Sequence, residues 1–185
     1  MNDYRINHNY AKALLMLATD TGMTDRVADD MRLMGSVLAA NRELGVVLAN
    51  PVIRGDKKAG ILRSLFEGRV CEDTMVFLVF VVRKNRSVNL QGISEAYLEH
   101  YRDLNGIVLS DLVTHQPIDD NARRMVTQMV ADYTGKKVEL NARTDEKMLG
   151  SFKLEFDHKM YDARLRTKIR KLRIAFAKNE YESKL

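Results

Sequence analysis

The spacing of hydrophobic residues along the chain changes at Asn105–Gly106. Before this point apolar residues recur every three to four positions, which is the period of one face of an α-helix. After it, residues 107–114 form a run rich in Ile, Val and Leu that favours a β-strand. A helix, further alternating runs and a basic helical tail follow. The pattern predicts an all-helical domain over residues 1–105 and a small α/β domain over residues 106–185.

About six helices are expected in the first domain, joined by short loops as in an antiparallel bundle. Glycines at 22 and 68 are expected to end two of them, because glycine adopts the left-handed conformation found at helix C-termini. Thr24 or Asp25 is expected to N-cap the second helix. The predicted helices cover residues 4–20, 24–38, 44–48, 55–66, 75–84 and 88–103.

The longest apolar run is residues 75–82, Met-Val-Phe-Leu-Val-Phe-Val-Val. Its Val and Phe content is compatible with a strand, but its neighbours are all predicted helices. A helix that is apolar on every side suits the centre of a bundle, so we predict a buried helix extending to about Lys84. The run has eight residues, against the roughly 20 needed to cross a bilayer. We therefore expect no membrane span.

The second domain is expected to alternate strands and helices. Asp119 or Asp120 is predicted to cap a helix that Gly135 closes. Apolar residues at every second position then predict half-buried strands near residues 138–142 and 152–156. A terminal helix is predicted to carry one apolar stripe, formed by Leu165, Ile169, Leu172 and Phe176.

The net charge of +5 is concentrated at the C-terminus. Residues 158–185 hold nine Lys and Arg against three acidic residues, a net of +6. Proteins that bind nucleic acids place such residues along one face to contact phosphates, so a basic nucleic-acid-binding module with a helical interaction domain is an alternative function. The commoner explanation is an amphipathic helix that packs on a sheet and turns its basic side outward.

Cysteine usage and the N-terminus bear on the compartment. Cys71 is the single cysteine, which excludes a disulfide within the chain and a cysteine metal cluster. The histidines are scattered along the sequence. Residues 1–5 have no apolar region of the kind that marks a secretory signal. These features together favour a reducing, cytoplasmic compartment.

No motif indicates catalysis or a cofactor. Residues 55–60 have two glycines and two lysines but lack the Gly-Lys-Ser/Thr ending of a phosphate loop, so we expect a helix start with exposed lysines. The adjacent carboxylates at 29–30 and at 119–120 point apart on a helix, and helix capping or solvated surface explains both. We predict a protein with two docking surfaces that is not an enzyme and binds no metal.

Several short segments, taken in order, resemble the delta subunit of bacterial F-type ATP synthase, the counterpart of the mitochondrial oligomycin-sensitivity-conferring protein. The resemblance extends over nearly the whole chain. It departs from the family at Gly150-Ser151, where the family has two glycines, and at Ala163-Arg164, where it has Gly-Ser. The matching segments are residues 10–14 with Ala18, 50–53 with Lys58 and 62–66, 77–78 with 83–86, then Ile93, Tyr97, Leu104, 135–140, Asp145, 149–150, Asp162 and Leu165.

The resemblance implies a six-helix N-terminal bundle followed by a C-terminal α/β domain. It further implies a non-catalytic peripheral-stalk subunit at the cytoplasmic face of the inner membrane. The bundle would bind the N-terminal helix of an alpha subunit, and the C-terminal domain would bind the stalk b subunits. The protein would thus stop the catalytic head from turning with the rotor, so that proton flow drives ATP synthesis.

The family's partner groove lies between the first and fifth helices. An amphipathic helix that docks in such a groove is read at i, i+3, i+4 and i+7 spacing. The alternative for these residues is that they belong to the core of the bundle. The matching positions in this sequence are Tyr10, Ala13, Leu14, Leu17, Val76, Phe80 and Lys84.

Overall fold

The computed structural model describes residues 2–146, 148, 152–156 and 159–162. Contacts between residues divide the chain into two compact units, Met1–Asn105 and Gly106–Leu185. The first unit is helical, and the described part of the second combines one helix with a small sheet. The predicted terminal helix and its basic residues lie outside the described residues.

The expectation of a helical first region is confirmed. Two glycines, Gly22 and Gly68, have positive φ angles and follow the first and fourth helices, as predicted. Residues 2–105 contain α1 (Asn2–Asp20), α2 (Thr24–Ala40), α3 (Arg42–Ala49), α4 (Gly55–Phe66), α5 (Glu72–Arg83) and α6 (Leu90–Asn105), with a short 3-10 turn at Ser87–Asn89.

The predicted cap of α2 is wrong. The helix begins at Thr24, and Met23 occupies the N-cap position without a side-chain hydrogen bond. Asp25 is used elsewhere, because its carboxylate accepts a hydrogen bond of 2.7 Å from the hydroxyl of Tyr101 in α6. Asp25 therefore makes a contact between two helices and does not cap its own helix.

The core of the first unit lies between α1, α2 and α6, with α4 packed against α5. The largest side chains that are fully buried there are Leu14, Met31, Met34, Leu62, Phe66, Leu78, Leu90, Ile93 and Tyr97. The prediction that α5 is buried on all sides is wrong. Leu78 and Val81 are buried, but Val76 and Phe80 on the other side are 63% and 45% exposed. One side of α5 therefore faces outward.

One of the paired carboxylates is buried. Asp30 is 2% exposed and accepts a hydrogen bond of 2.8 Å from the backbone N–H of Cys71, at the start of α5. Arg26 lies 3.5 Å from its other oxygen. The prediction of solvated surface holds for Asp29, which pairs with Arg32, but not for Asp30. The first backbone N–H groups of a helix have no partner within it, so a carboxylate beside them is stabilising. Asp30 of α2 supplies this carboxylate at the start of α5.

One of the lysines predicted to be exposed is also buried. Lys58 is 7% exposed, and its ammonium donates to the carbonyl of Leu48 at 2.7 Å and to the hydroxyl of Ser87 at 3.2 Å. Leu48 belongs to the last turn of α3, whose carbonyls lack partners within the helix. The positive charge therefore stabilises the negative end of α3. Lys57, the preceding residue, is exposed as predicted.

The second unit contains β1 (Ile107–Thr114), α7 (Asp120–Thr134), β2 (Lys137–Thr144), β3 (Phe152–Phe156) and β4 (Lys159–Asp162). The strand order is β2-β1-β3-β4. β1 pairs in parallel with β2, whereas the β1–β3 and β3–β4 pairs are antiparallel. The expectation of a small α/β region is therefore confirmed. Both ends of α7 also agree with prediction: Asp119 accepts from the N–H of Ala122 at 2.7 Å, and Gly135 adopts the left-handed conformation.

Helix α7 connects the two parallel strands and packs on the sheet. The core of the unit is apolar, and its buried members are Val108, Leu112, Val130, Leu154 and Phe156, with Ile118, Val126, Val138 and Leu140 packed against them.

Within the described residues, no helix combines the length and the apolarity needed to cross a membrane.

Candidate docking surfaces

Helices α1 and α5 contact each other through aromatic side chains. The ring of Tyr10 in α1 lies 6.4 Å from the ring of Phe77 and 6.3 Å from that of Phe80, measured between centroids. Beyond the C-terminal end of α5, the side-chain amide of Asn89 donates to Asp3 at 3.2 Å and to Asn7 at 3.0 Å, near the start of α1. The 3-10 turn that follows α5 thus lies beside the start of α1.

Apolar side chains are exposed along this pair of helices. Leu17 of α1 is 42% exposed, and Ala13 is also exposed. Val76 and Phe80 of α5 are exposed as well, and Tyr10 is half-buried between them and the core. We use the name α1/α5 groove for the surface formed by Tyr10, Ala13, Leu17, Val76, Phe80 and Lys84.

Six of the seven residues predicted for the groove are therefore at least partly accessible. The seventh, Leu14, is 1% exposed and belongs to the core beneath. Lys84 follows the last turn of α5, and its ammonium lies 5.5 Å from the centroid of the Phe80 ring. This cation–π contact keeps the lysine beside the apolar surface.

A second exposed apolar surface lies on the other unit. Met129 and Tyr133 of α7 are 53% and 57% exposed, and Phe152 of β3 is 44% exposed. These three residues, which we call the α7/β3 surface, line a cavity of about 270 Å³ together with the buried Val130, Leu154 and Phe156. Sequence reasoning did not single out this surface. The signal in the sequence was the apolar face of α7, which contains more apolar residues than pack against the sheet.

Two of the histidines that are scattered in sequence meet in the structure. Nδ1 of His8 in α1 lies 3.1 Å from Nε2 of His100 in α6. The other nitrogen of His8 lies 3.8 Å from the carboxylate of Glu99. The pair links the first and last helices of the unit. Across the described ranges, no three or more metal-binding side chains are grouped to hold an ion.

Two tyrosines of α6 have perturbed acidity. Burial raises the pKa of Tyr97 strongly, and nearby Tyr101, Cys71 and acidic residues raise it further. The hydrogen bond to Asp25 raises the pKa of Tyr101, with a smaller contribution from burial. Both hydroxyls therefore stay protonated at neutral pH and act as hydrogen-bond donors between helices. Cys71 is half-buried, with its sulfur 3.2 Å from the Thr74 hydroxyl.

A helical unit and an α/β unit, each with an exposed apolar surface, define the class of a two-unit docking protein. Comparison with known families is specific: residues 6–176 match the family described as ATP synthase delta (OSCP) subunit. The chain belongs to this family.

Similar proteins agree. The chain is 36% identical over 176 residues to the ATP synthase subunit delta of Cytophaga hutchinsonii, which covers 95% of this chain and 96% of that protein. It is 33% identical over 173 residues to the ATP synthase subunit delta of Chlorobium luteolum, which covers 94% and 96%. Among solved structures, a chain of the Toxoplasma gondii mitochondrial ATP synthase hexamer matches the fold with a TM-score of 0.72 at 18% identity, over 92% of this chain and 97% of that one.

Family membership defines the function. The protein is a subunit of the peripheral stalk of ATP synthase, which links the catalytic head to the membrane sector, and its role is structural and not catalytic. It is a peripheral component of a membrane-bound, multi-subunit complex. The alternative of a nucleic-acid-binding module is set aside, because the family match extends over both units.

Proposed function

We propose that the α1/α5 groove binds the N-terminal helix of the ATP synthase alpha subunit, and that the second unit binds the b subunits of the stalk. The six helices of the first unit would act as one antiparallel bundle that presents the groove. The protein would lie at the cytoplasmic face of the inner membrane. By holding head and stalk together it would resist the torque of the rotor during proton-driven ATP synthesis.

The observation that supports the first part is the exposed stripe along α5. Val76, Phe80 and Lys84 follow one another at intervals of four residues, so they lie on one side of the helix. Leu17 and Ala13 of α1 flank them, and a third helix laid between α1 and α5 would bury all five. A docked amphipathic helix supplies apolar residues at the matching spacing.

The small side chain of Ala13 favours close approach of a partner helix. Leu14 sits beneath the groove in the core and supports it without being accessible. The groove thus has a rigid floor and an apolar rim, and its aromatic centre is formed by Tyr10 and Phe80. Aromatic residues in partly buried pockets commonly contribute the largest share of binding energy at interfaces.

The α7/β3 surface supports the second part of the proposal. It offers two aromatic rings and a methionine around an apolar cavity, and the residues of interface centres are enriched in these types. Two docking sites on one chain attach it more firmly than either alone, because binding at the first raises the effective concentration at the second. That is the property a stalk subunit needs.

Phe80→Asp tests the groove. A carboxylate in the centre of an apolar contact must be desolvated on binding, so we expect affinity for a synthetic peptide of the alpha-subunit N-terminus to fall at least about tenfold. Isothermal titration calorimetry on the full chain measures this loss. Amide NMR spectra would show that the second unit keeps its fold.

Val46→Asp is the matched control. Val46 is exposed on α3, outside the groove, and the same change there should leave peptide affinity within about twofold. Unchanged affinity in a folded Phe80→Asp protein would remove Phe80 from the binding site.

A further inference from the structure

A cavity of about 320 Å³ lies in the first unit, between the end of α3, the start of α4 and the end of α5. This volume is at the lower end of the range found for small-molecule sites. The turn that follows α5 contributes to its lining. The described residues that line the cavity include none of those that form the α1/α5 groove. The cavity is therefore a separate surface of the same unit.

A buried ammonium group lines this cavity. Lys58 is 7% exposed, and its hydrogen-bond partners, the Leu48 carbonyl and the Ser87 hydroxyl, are both uncharged. The negative end of α3 offsets only about half a charge, and none of the described lining residues is acidic. Burial of a charge is costly unless an opposite charge pairs with it. The cavity therefore has an excess of positive charge that an anion would neutralise.

Further hydrogen-bond donors meet at the cavity. An ammonium has three donors, and Lys58 uses two of them for Leu48 and Ser87. Gly55 lines the cavity and begins α4, whose N-cap makes no side-chain hydrogen bond. The first N–H groups of α4 have no partner within the helix and are thus open to a ligand. Asn85 also lines the cavity, at an exposed position, and carries a side-chain amide.

The surroundings of the cavity also favour an anion. Residues 54–58 and 83–86 together contain six cationic side chains and one acidic side chain. The carbonyls of residues 80–82, at the end of α5, already accept hydrogen bonds from the N–H groups of residues 84–86. A region with one sign of charge raises the local concentration of ligands with the opposite sign.

We propose that this cavity binds a small organic monocarboxylate. One carboxylate oxygen would accept from the Lys58 ammonium, and the other from the Asn85 amide or the Gly55 N–H. The hydrocarbon part would pack on the aliphatic side of the lining, which includes Ile53 and Val88. Such a ligand would hold the ends of α3, α4 and α5 together and stabilise the first unit by mass action.

Amide NMR titration of the isotope-labelled full chain tests the site, with butyrate as the probe at constant ionic strength. We expect saturable shifts for residues 48–58 and 82–88, with a dissociation constant of about 1 mM. Butanamide has the same size but no charge, and it should bind at least about tenfold more weakly. Inorganic phosphate has charge but no hydrocarbon part, and it should also bind more weakly than butyrate.

Each comparison can overturn the proposal. Equal affinity for butyrate and butanamide would show an apolar cavity with no preference for an anion. Tighter binding of phosphate than of butyrate would show that the hydrocarbon part contributes nothing, and the ligand would not be an organic carboxylate. Absence of shifts in residues 48–58 and 82–88 with butyrate would leave no site at all.

Lys58→Met removes the ammonium and keeps the apolar stem, so affinity for butyrate should fall at least about tenfold. Lys57→Met is the matched control, because it makes the same change in net charge at the exposed neighbouring position. Its affinity for butyrate should stay within about twofold of the original. An equal loss in both variants would indicate general attraction by positive charge and would overturn the site.

Asn85→Gly keeps the site testable if Lys58→Met does not fold. Asn85 has a positive φ of 56°, which glycine adopts without strain, so the backbone is retained while the amide is lost. Affinity for butyrate should fall about threefold, as expected for one hydrogen bond. Unchanged affinity, combined with equal binding of butanamide, would overturn the proposal without any change at Lys58.

Discussion

The two units differ in what holds their elements together. In the helical unit, the buried side chains include the polar residues Asp30, Lys58, Thr74, Ser87, Asn89 and Ser94. In the described part of the α/β unit, Ser110 is the corresponding buried polar residue, and the rest of the core is apolar. The difference follows from backbone pairing. A sheet satisfies its backbone groups between strands, whereas each helix leaves unpaired groups at both ends.

Irregular packing of six short helices brings several such ends into the interior. Side chains from distant parts of the chain then supply the missing partners, as Asp30 does for Cys71 at a separation of 41 residues. In the α/β unit β1, α7 and β2 follow one another directly, and apolar contacts between them suffice. We therefore expect substitutions of buried polar residues to lower the free energy of unfolding mainly in the first unit. In the second unit, the larger losses should come from truncation of buried apolar residues.

The largest effect is expected for Phe156→Ala in the second unit. Phe156 is 4% exposed and packs edge-on against Tyr133 at 5.8 Å. Removing a buried phenylalanine ring costs about 3–5 kcal/mol. Urea unfolding followed by amide NMR signals of residues 107–144 measures this change in the free energy of unfolding.

The control is Phe152→Ala, four residues earlier on the same strand. Phe152 is partly exposed, so the loss should be clearly smaller. Equal losses at the two positions would show that the α7/β3 surface is covered in the free protein, and the terminal residues of this chain would then be a competing occupant to test.

Asp30→Ala is expected to have the next largest effect, in the first unit. The change leaves the Cys71 N–H without its acceptor and Arg26 without its carboxylate. Hydrogen bonds to charged groups contribute about 1.5–3 kcal/mol. Urea unfolding followed by signals of residues 71–83 should show a loss of this size.

Asp29→Ala is the matched control for Asp30. Asp29 is 69% exposed and pairs with Arg32 at the surface, so its removal should change the free energy of unfolding by less than about 0.5 kcal/mol. Similar losses in the free energy of unfolding at both positions would mean that the negative charge on α2 stabilises the unit and that the buried hydrogen bond of Asp30 does not.

These pairs show what the sequence could predict. Helices and strands were predictable because each has a periodic apolar pattern and several end at glycines, such as Gly22 and Gly135, whose conformation is decided locally. Asp29 and Asp30 are adjacent and identical, and so are Lys57 and Lys58. Nothing local distinguishes the buried member, because its burial depends on which distant helix end it meets.

The same limit applies to the docking surfaces. Resemblance to a family supplied the groove residues, whereas the continuous apolar run of residues 75–82 between predicted helices led to the wrong prediction that α5 is buried on all sides. The His8–His100 contact joins residues 92 positions apart, which spacing along one helix cannot reveal.

Lys58→Met should destabilise the first unit by about 1–2 kcal/mol, because the apolar stem is kept while two hydrogen bonds from the ammonium are lost. Lys57→Met, at the exposed neighbouring position, should be nearly neutral. Thermal unfolding of both variants checks the difference. A more stable Lys58→Met would show that desolvation of the ammonium outweighs its contacts with Leu48 and Ser87.

Asp119→Ala should give the smallest effect, and it tests whether the second unit depends on local polar contacts at all. Asp119 caps α7 through the N–H of Ala122, and loss of such a cap costs about 1 kcal/mol. Asp120→Ala removes a carboxylate from the first turn without removing the cap, and should cost about 0.3 kcal/mol. Hydrogen exchange at residues 120–124 measures both.

Because the contact between Asp119 and Ala122 spans three residues, faster exchange should stay within the first turn of α7. Asp30→Ala, in contrast, should speed exchange in α2 and α5 together. If Asp119→Ala instead raised exchange across β1 and β2, the apolar core would not be what holds the second unit together.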